Sequence, residues 1–310
     1  MLFMVNPYES FQLKVISIYV EHPDIKEVWN ILDNRRTIRR LSLNIETNES
    51  PLNLFIMGKS RVGKTQAMKR YAAANPSYIL IENEEEKDIV PVAYVLLPEP
   101  FTKKGFYLRI IKALGAPRMD ESKTVEFLQD KAFGLIKKQK VEMIILDELD
   151  YILTSTHVSK KVAMELIKDL SNSTNVAVVC VGTTATDELR TINAQIMGRF
   201  PPRTLKHFSE CDDSFIDLLK LIDEKLGVQD IFQFAKEGSK LPILLHRMCS
   251  GLVGWLVPII TETFQLVGVF ESDFNDFSIL KKIDGHVLLK ARQNVIGEMT
   301  EEDINKILNK

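Results

Sequence analysis

The sequence predicts an α/β fold in which a parallel sheet is wrapped by helices and followed by an all-helical segment. Up to about residue 210, short apolar runs alternate with segments of helical period, the pattern of a parallel sheet with crossover helices. The runs are mostly continuously apolar, as expected for strands buried on both faces. After residue 210 the strand signal ends and amphipathic helix patterns remain.

Five apolar runs qualify as strands. They are Leu52–Met57, Pro91–Leu97, Glu142–Asp147, Val176–Val181 and Arg203–His207. Helices are predicted between them at 104–114, 125–136, 159–170 and 187–196. Later helices are predicted at 215–226, 242–248, 254–267, 279–292 and, after a Thr300 cap, 301–308. The acidic stretch 81–88 is interpreted as a solvated loop.

Composition and charge restrict the class of protein. The 310 residues are 45% hydrophobic and 26% charged, which indicates a globular chain. Forty Lys and Arg against 42 Asp and Glu leave a net charge of -2, so nucleic-acid contact would need a local basic patch. Three cysteines without a CxxC pair favour a reducing cytosol over a disulfide or zinc scaffold. Since no signal peptide or membrane span is recognisable, we expect a cytoplasmic protein without membrane contact.

A phosphate-binding motif follows the first predicted strand. The segment reads GKSRVGKT and comprises Gly58, Lys59, Ser60, Arg61, Val62, Gly63, Lys64 and Thr65. This matches GxxxxGK[ST] between a strand and a helix, where backbone N–H groups wrap phosphates at the helix N-terminus. Lys64 would reach the β and γ phosphates of ATP, and the Thr65 hydroxyl would bind Mg²⁺. The alternative is an ordinary glycine-containing turn.

Two carboxylates end the third predicted strand. The run MIILDELD places Asp147 and Glu148 at the carboxyl edge of the sheet, where ligands bind in open α/β folds. Asp147 would complete the Mg²⁺ shell, and Glu148 would orient and deprotonate the attacking water. A hydrophobic strand that meets a solvated acidic turn would look similar, but its position after the phosphate motif favours a nucleotide site.

Three further residues are candidates around this site. The fourth strand is followed by Thr183 and Thr184, whose hydroxyls are placed to sense the γ phosphate; turn residues that close a strand are the alternative. Arg199, in QIMGRFPP, is a candidate arginine finger that would stabilise the transition state across a subunit boundary. A surface arginine near the last strand fits equally well.

The densest basic cluster reads RRTIRR and contains Arg35, Arg36, Arg39 and Arg40. At helical spacing these arginines fall on more than one face, so a solvated or partner-binding surface and a DNA patch both remain open. The scattered histidines are not assigned to a metal. Trp29 and Trp255 are interpreted as packing residues.

Taken in order, GKSRVGKT, VPVAYV, VEMIILDELD, VAVVCVGT and GRF resemble the TniB/TnsC family of AAA+ transposition ATPases over about residues 20–295. The segment VEHPDIKEVWNIL also resembles the family's helical lead-in, and KIDGHVLLKA the closing helix of its lid. The resemblance implies a five-stranded, three-layer αβα AAA+ P-loop core at 51–210. It implies a helical lead-in at 1–50 and a small helical lid at 211–310.

The resemblance also implies a function. Such an ATPase assembles on double-stranded DNA as a homo-oligomeric ring or filament when ATP is bound, and disassembles on hydrolysis. It links a target selector, TniQ-like or an RNA-guided complex, to a DDE transposase of the transposon. By motif, the roles carried over are Lys64 and Thr65 as P-loop ligands, Asp147 and Glu148 as the Walker B pair, Thr183 as first sensor and Arg199 as finger. A second sensor arginine is not carried over, because Trp255 follows Gly254.

The family's DNA-facing loops fall at two places in this sequence. One holds Thr102, Lys103 and Lys104, and the other holds Ser122, Lys123 and Thr124. Lysines and small hydroxyls suit phosphate contacts, which are salt dependent and do not read sequence. Exposed loops often contain lysine, so a plain solvated surface is the alternative.

Two other functions remain open at this point. One is a helicase or translocase motor, although the chain shows no second P-loop-like lobe. The other is a nucleotide-switch scaffold that binds ATP without useful hydrolysis and recruits proteins only. Glu148 argues against the scaffold, because a general base has no use there.

Overall fold

The computed structural model describes residues 6–44, 51–82, 84–117, 119–120 and 122–298. The described chain forms two compact units. The sheet unit comprises Pro23–Lys59 and Lys64–Leu205, and the helical unit comprises residues 6–22, 60–63 and 206–298. The predicted helix at 301–308 and its Thr300 cap lie outside the described residues.

The sheet unit contains the strands and the helices that connect them. Its strands are β1 (Leu54–Met57), β2 (Tyr78–Glu82), β3 (Glu85–Ile89), β4 (Val92–Leu96), β5 (Met143–Asp147), β6 (Ala177–Gly182) and β7 (Pro202–Thr204). Its helices are α2 (Pro23–Asn44), α3 (Lys64–Ala73), α4 (Lys103–Ala113), α5 (Val125–Lys138), α6 (Asp150–Leu153), α7 (Lys160–Thr174), α8 (Asp187–Arg190) and α9 (Ala194–Arg199). A short 3₁₀ turn, Thr184–Thr186, precedes α8.

A five-stranded parallel sheet in the order β4-β5-β6-β1-β7 forms the centre of this unit. The predicted fold class is therefore confirmed, with each predicted strand present within a few residues of its expected bounds. The strand that follows β1 in the predicted order, β4, lies at one edge. It is β6 that lies between β1 and β5, so the phosphate motif and the acidic strand end flank the end of β6.

Helices cover both faces of the sheet. All residues of β5 and β6 are buried, which explains why their sequences are apolar without alternation. One face packs against α4, α5 and α7 through a core that includes Phe106, Leu128 and Ile167. On the other face α3 lies beside β4 and β6, and α2 lies beside β6.

The predicted solvated loop at 81–88 is wrong in its backbone. Strands β2 and β3 form an antiparallel hairpin with Tyr78 opposite Ile89 and Glu82 opposite Glu85. Most of its side chains are exposed, including Ile79 and Ile81, so the apolar residues gave no burial pattern that sequence reasoning could use. The acidic run does not show the pattern of a strand, because β3 is defined by its backbone pairing with β2 and not by buried side chains.

Two helix predictions also differ from the structure. The expected helix at 187–196 is divided into α8 and α9, because Asn193 adopts an extended conformation and its side chain accepts the N–H of Ile196 as a new N-cap. The expected helix at 279–292 begins later, at Gly285, and is preceded by the 3₁₀ segment Phe277–Lys282. Asp284 caps it through the N–H of Val287.

The helical unit contains α1 (Pro7–Ile16), α10 (Asp213–Leu226), α11 (Leu241–Cys249), α12 (Val253–Leu266) and α13 (Gly285–Ile296). Its core is rich in aromatic rings; Phe11 and Phe234 both meet Phe264 edge-on, at 5.5 and 5.7 Å between centroids. Trp255 is buried, as a packing residue should be. Among the described helices none alone has the length and apolar content of a membrane span; α11 and α12 reach them only as a pair bent by 120°.

Domain boundaries at 50 and 210 stay predictions. The described lead-in is divided, since α1 belongs to the helical unit and α2 to the sheet unit. Within the helical unit, Lys14 of α1 donates through Nζ to the carbonyl of Leu226 at the end of α10, at 3.2 Å.

Two arginines of the RRTIRR cluster are buried. For these two, neither a solvated or partner-binding surface nor a DNA patch is correct. Arg36 is 8% exposed and Arg39 is 7% exposed. The Arg36 Nε atom lies 2.9 Å from Glu142 Oε2, and Arg39 Nη2 donates to the carbonyl of Thr174 at 3.1 Å. These side chains bind α2 to the segments around β5 and α7 within the sheet unit. They are not available to DNA or to a partner.

Replacing Arg36 by Met should lower the free energy of unfolding by about 2 kcal/mol, because it leaves the buried Glu142 carboxylate short of its main partner. Urea unfolding measures the effect. The matched control is Arg40→Met, since Arg40 is 57% exposed and pairs with the same carboxylate at 3.4 Å. Its cost should stay within about 0.5 kcal/mol. Equal losses for the two variants would contradict the buried anchor.

Candidate nucleotide-binding site

The phosphate motif forms a tight loop between β1 and α3. Two of its residues have positive φ angles, 65° at Arg61 and 98° at Gly63. A Cβ atom at Gly63 would meet no neighbour within 4 Å, so glycine is required there for its backbone conformation and not for space. Helix α3 begins at Lys64, directly after the loop. The first N–H groups of a ten-residue helix therefore face the loop, as in an anion-binding helix terminus.

Lys64 holds its ammonium group over this loop. Its Nζ atom donates to the carbonyl oxygens of Gly58 at 2.8 Å and Lys59 at 2.9 Å. Burial lowers the pKa of Lys64, and the nearby carboxylates of Asp150, Asp147 and Glu148 oppose that shift. The ammonium is thus a desolvated cation among loop carbonyls, which is the environment in which it interacts most strongly with a phosphate.

Asp147 is the most constrained carboxylate of the site. It is 2% exposed, and its Oδ2 accepts the hydroxyl proton of Tyr94 at 2.6 Å. Its Oδ1 accepts the backbone N–H of Glu148 at 2.9 Å. Burial and this hydrogen bond raise the pKa of Tyr94, so its hydroxyl stays a donor to Asp147. Tyr94 therefore fixes the orientation of the Asp147 carboxylate from the neighbouring strand β4.

Glu148 follows with a φ of 62°, a left-handed conformation that is uncommon for a non-glycine residue. Burial raises the pKa of Glu148, and the carboxylates of Asp147 and Asp150 raise it further against the opposing effect of Lys64. A carboxylate with a raised pKa and incomplete burial is suited to accept a proton from water.

Thr183 lies at the end of β6 and is bonded to the turn after β5. Its backbone N–H donates to Asp150 Oδ2 at 2.9 Å, and its hydroxyl donates to Asp150 Oδ1. In turn, the Thr183 carbonyl accepts the N–H and the hydroxyl of Thr186, at 3.1 and 2.6 Å. Thr184 is exposed and begins the 3₁₀ turn.

The oxygen donors present fit Mg²⁺. This ion prefers hard oxygen ligands and commonly takes one or two carboxylates together with substrate phosphates. Asp147 supplies an oriented carboxylate at the end of β5, and Thr65 supplies a hydroxyl in the first turn of α3. Within the described residues there is no group of three or more His, Cys, Asp or Glu side chains arranged as a self-sufficient metal cage.

Arg199 is the last residue of α9, and its guanidinium donates to the side-chain oxygen of Asn172 on α7. This partner belongs neither to the phosphate loop nor to the ends of β5 and β6. The structure thus does not join Arg199 to Lys64, Asp147, Glu148 or Thr183 within one chain by a hydrogen bond. Its predicted role across a subunit boundary stays a prediction.

The residues predicted to face DNA begin two adjacent helices. The Thr102 hydroxyl caps α4 by accepting the N–H of Gly105 at 3.0 Å, and the Thr124 hydroxyl caps α5 by accepting the N–H of Phe127 at 3.3 Å. Because each hydroxyl is an acceptor in its cap, its own proton remains available to donate. Helices α4 and α5 pack on each other.

Lysines accompany both helix starts. Lys103 and Lys123 are exposed, and the Lys123 ammonium lies 5.3 Å from the centre of the Phe127 ring. Lys104 is partly buried. The Asp120 carboxylate, whose pKa is lowered chiefly by the Ser122 N–H, also interacts with Lys123 and Lys104, so the two loops lie near each other.

Sequence reasoning missed Tyr94 and Asp150 as members of this site. Tyr94 stands inside an apolar strand, and the only available signal was a hydroxyl on the strand that neighbours β5. Asp150 was visible as the last letter of DELD but had no assigned partner. Both side chains meet their partners only through strand pairing, β4 with β5 and β5 with β6.

Comparison with known proteins places the chain in a family. The family model of bacterial TniB proteins matches residues 19–210, which is more than half of the chain. A search of curated protein sequences finds no significant match.

Solved structures share the fold at low sequence identity. The ORC2 protein of Aeropyrum pernix, in ADPNP–ADP complexes, is 14% identical with a TM-score of 0.60, covering 91% of this chain and 72% of that one. The A. pernix ORC1 protein in complex with DNA is 12% identical with a TM-score of 0.56, covering 92% and 69%. Cdc6p from Pyrobaculum aerophilum is 13% identical with a TM-score of 0.54, covering 83% and 66%.

At these identities the structural matches show the fold alone, an αβα core with a helical C-terminal region. Together with the family match, they agree with the phosphate loop and the carboxylate pair described above. The chain belongs to the bacterial TniB family, and it is an AAA+ ATPase.

Proposed function

We propose that this protein is a Mg²⁺-dependent ATPase that assembles on double-stranded DNA and couples a target selector to a transposase in DNA transposition. The observation that supports it most is that Lys64, Asp147 and Glu148 belong to the same unit as two lysine-bearing helix starts, those of α4 and α5. DNA in the structure of the A. pernix ORC1 protein adds a precedent on the same fold.

In the proposed mechanism the loop Gly58–Thr65 binds the phosphates of ATP, and Lys64 neutralises charge on the β and γ groups. Asp147 and Thr65 would hold Mg²⁺, which screens phosphate charge when bound. Glu148 takes a proton from the attacking water. At the same time the water oxygen bonds to the γ phosphorus, and the bond between the γ phosphorus and the bridging β-phosphate oxygen breaks, which releases ADP. Thr183 contributes beside that water.

Arg199 of one protomer would complete the site of the next, so that nucleotide state and assembly form one linked equilibrium. Residues 51–210 would act as the core and 211–310 as the lid, after a lead-in at 1–50. The oligomer would be a ring or a filament.

The assembly is tested by electron microscopy of the protein with double-stranded DNA, with a slowly hydrolysed ATP analogue or with ADP, at two salt concentrations. We expect rings or filaments only with DNA and the triphosphate, and fewer at high salt. Monomers under every condition would overturn the assembly, leaving the nucleotide-switch scaffold as the better account.

Changing Lys103 and Lys123 to Glu should weaken DNA binding by about tenfold or more and reduce the slope of log affinity against log salt by about 2, one per lost phosphate contact. Fluorescence anisotropy with two unrelated duplexes measures both quantities. We expect the same loss on each duplex, since phosphate contacts do not read sequence.

The matched control changes Lys137 and Lys138 to Glu. Both are exposed and lie at the opposite end of α5. Since two lysines are changed to glutamate in each variant, the change in net charge is identical. An equal loss of affinity in the control would show a general charge effect and contradict a DNA site at the helix starts.

A further inference from the structure

One carboxylate of the site has no role in the mechanism above. Asp150 begins α6, in the turn after β5, and both of its oxygens accept hydrogen bonds from Thr183. The contact joins the ends of two neighbouring strands, because Thr183 directly follows β6. The same two ends are also joined by the N–H of Leu149, which donates to the carbonyl of Val181 at 3.0 Å.

We propose that Asp150 is a positioning residue: it accepts the hydrogen bond of the Thr183 hydroxyl and so makes Thr183 an acceptor, not a donor, toward the attacking water. A threonine hydroxyl has one proton to donate and two lone pairs that accept. A carboxylate oxygen accepts hydrogen bonds, and both Asp150 oxygens accept one from Thr183. The bond to Asp150 Oδ1 therefore uses the only proton of the hydroxyl.

This assignment has a consequence for the geometry of attack. A water molecule has two protons, and the site then offers two acceptors for them, the Glu148 carboxylate and the Thr183 oxygen. With both protons directed at acceptors, a lone pair of the water is left to face the γ phosphorus. If Thr183 instead donated to the γ phosphate, one water proton would lack an oriented acceptor and attack would be less well aligned.

The position of Thr183 is set by the protein itself. Its N–H, its hydroxyl and its carbonyl are all engaged, with Asp150 on one side and Thr186 on the other. A Cβ atom at Gly182 would lie 2.6 Å from the Thr186 side chain, so the close packing of this turn requires glycine before Thr183. The acceptor is thus held in place before substrate arrives, as preorganised catalysis requires.

The inference rests on the proposed role of Thr183 as a sensor, and it is tested by single-turnover ATP hydrolysis with enzyme in excess, together with ATP titrations. Asp150→Asn retains size but offers an NH₂ group where an oxygen accepted, so the Thr183 proton is released or its N–H loses a partner. We expect the rate to fall by about tenfold to hundredfold while the Kd for ATP changes less than about threefold.

Thr183 variants test whether the two residues act through one hydroxyl. Thr183→Val should lower the rate to a similar extent, and Thr183→Ser, which retains the hydroxyl, should recover most of it. The double variant Asp150→Asn/Thr183→Val should be no slower than the slower single variant. Asp187→Asn is the control, since Asp187 pairs with Arg190 of the same helix, at 2.7 Å, and not with Thr183.

Three results would overturn the proposal. The first is a double variant whose loss of rate is the product of the two single losses, and the second is a normal rate for Asp150→Asn. The third is an Asp150→Asn variant whose ATP affinity and melting temperature fall together with its rate. The last would mean that Asp150 only supports the fold. These outcomes are distinct from failure of the proposed function. If the protein fails to assemble on DNA, its ATP hydrolysis in free solution can still be measured. An unaltered rate in Glu148→Gln would contradict the assignment of Glu148 as the general base.

Discussion

Glu148→Gln should lower the rate of ATP hydrolysis by about 10²–10⁴-fold and leave ATP binding within about threefold of the unsubstituted protein. Glutamine has the size of glutamate but cannot take a proton from water. Glu148 has a left-handed φ of 62° and is only partly buried, so water can reach its carboxylate. Phosphate release and equilibrium ATP titration measure the two quantities.

The pH dependence provides a second test of the same residue. Burial and the carboxylates of Asp147 and Asp150 raise the pKa of Glu148, so the base becomes protonated at a higher pH than an ordinary glutamate, whose pKa is about 4.3. The rate should fall as the pH is lowered through this raised pKa. This fall at low pH should be absent from the residual rate of Glu148→Gln.

Stability separates loss of the base from unfolding. Because the folded state raises the pKa of Glu148, the ionised form is less favourable there than in the unfolded chain, and it lowers the free energy of unfolding at pH values above that pKa. Glu148→Gln should therefore melt at the same temperature or higher at neutral pH. On DNA it should assemble with ATP and fail to disassemble. A variant that still hydrolyses ATP at a normal rate would contradict the assignment.

The fold was largely predictable because its centre is buried on both faces. Residues of β5 and β6 must all be apolar, so their runs stand out without any knowledge of their neighbours. The hairpin of β2 and β3 had no such signal, since it is exposed and each strand is defined by its pairing with the other. The break at Asn193 depended on one side-chain cap.

The site was predictable where its residues are contiguous in sequence. The phosphate loop and the DELD turn are local, so their chemistry can be read from residue type and spacing. The partners of those residues come from other strands. Tyr94 meets Asp147 and Thr183 meets Asp150 only through the order of the sheet.

The RRTIRR cluster shows the opposite error. A dense set of arginines suggested a surface, yet Arg36 and Arg39 are buried three residues apart on α2. Their partners are Glu142 and the carbonyl of Thr174, both distant in sequence. Charge density alone did not distinguish an anchor from an interface, because that distinction depends on what the helix packs against.

Lys64→Ala should weaken ATP binding by at least about 30-fold, since removal of a buried charged partner costs about 2–5 kcal/mol. The loss has two physical parts. The phosphates lose an ammonium that burial has already desolvated. The carboxylates of Asp147, Glu148 and Asp150 also lose the cation that offsets them, so the site repels an anionic ligand more strongly.

The matched control is Lys59→Ala. Lys59 belongs to the same loop, but its contact with Lys64 uses the backbone carbonyl, which alanine retains. ATP affinity should stay within about threefold in that variant, while Lys64→Ala should lose ATP binding and DNA assembly together. If Lys64→Ala assembled on DNA as the unsubstituted protein does, assembly would not depend on nucleotide, and the proposed linkage between ATP and the oligomer would be wrong. If Lys59→Ala lost affinity to the same extent, the loop would act through its net positive charge, and the specific position of the Lys64 ammonium over the carbonyls of Gly58 and Lys59 would not explain binding.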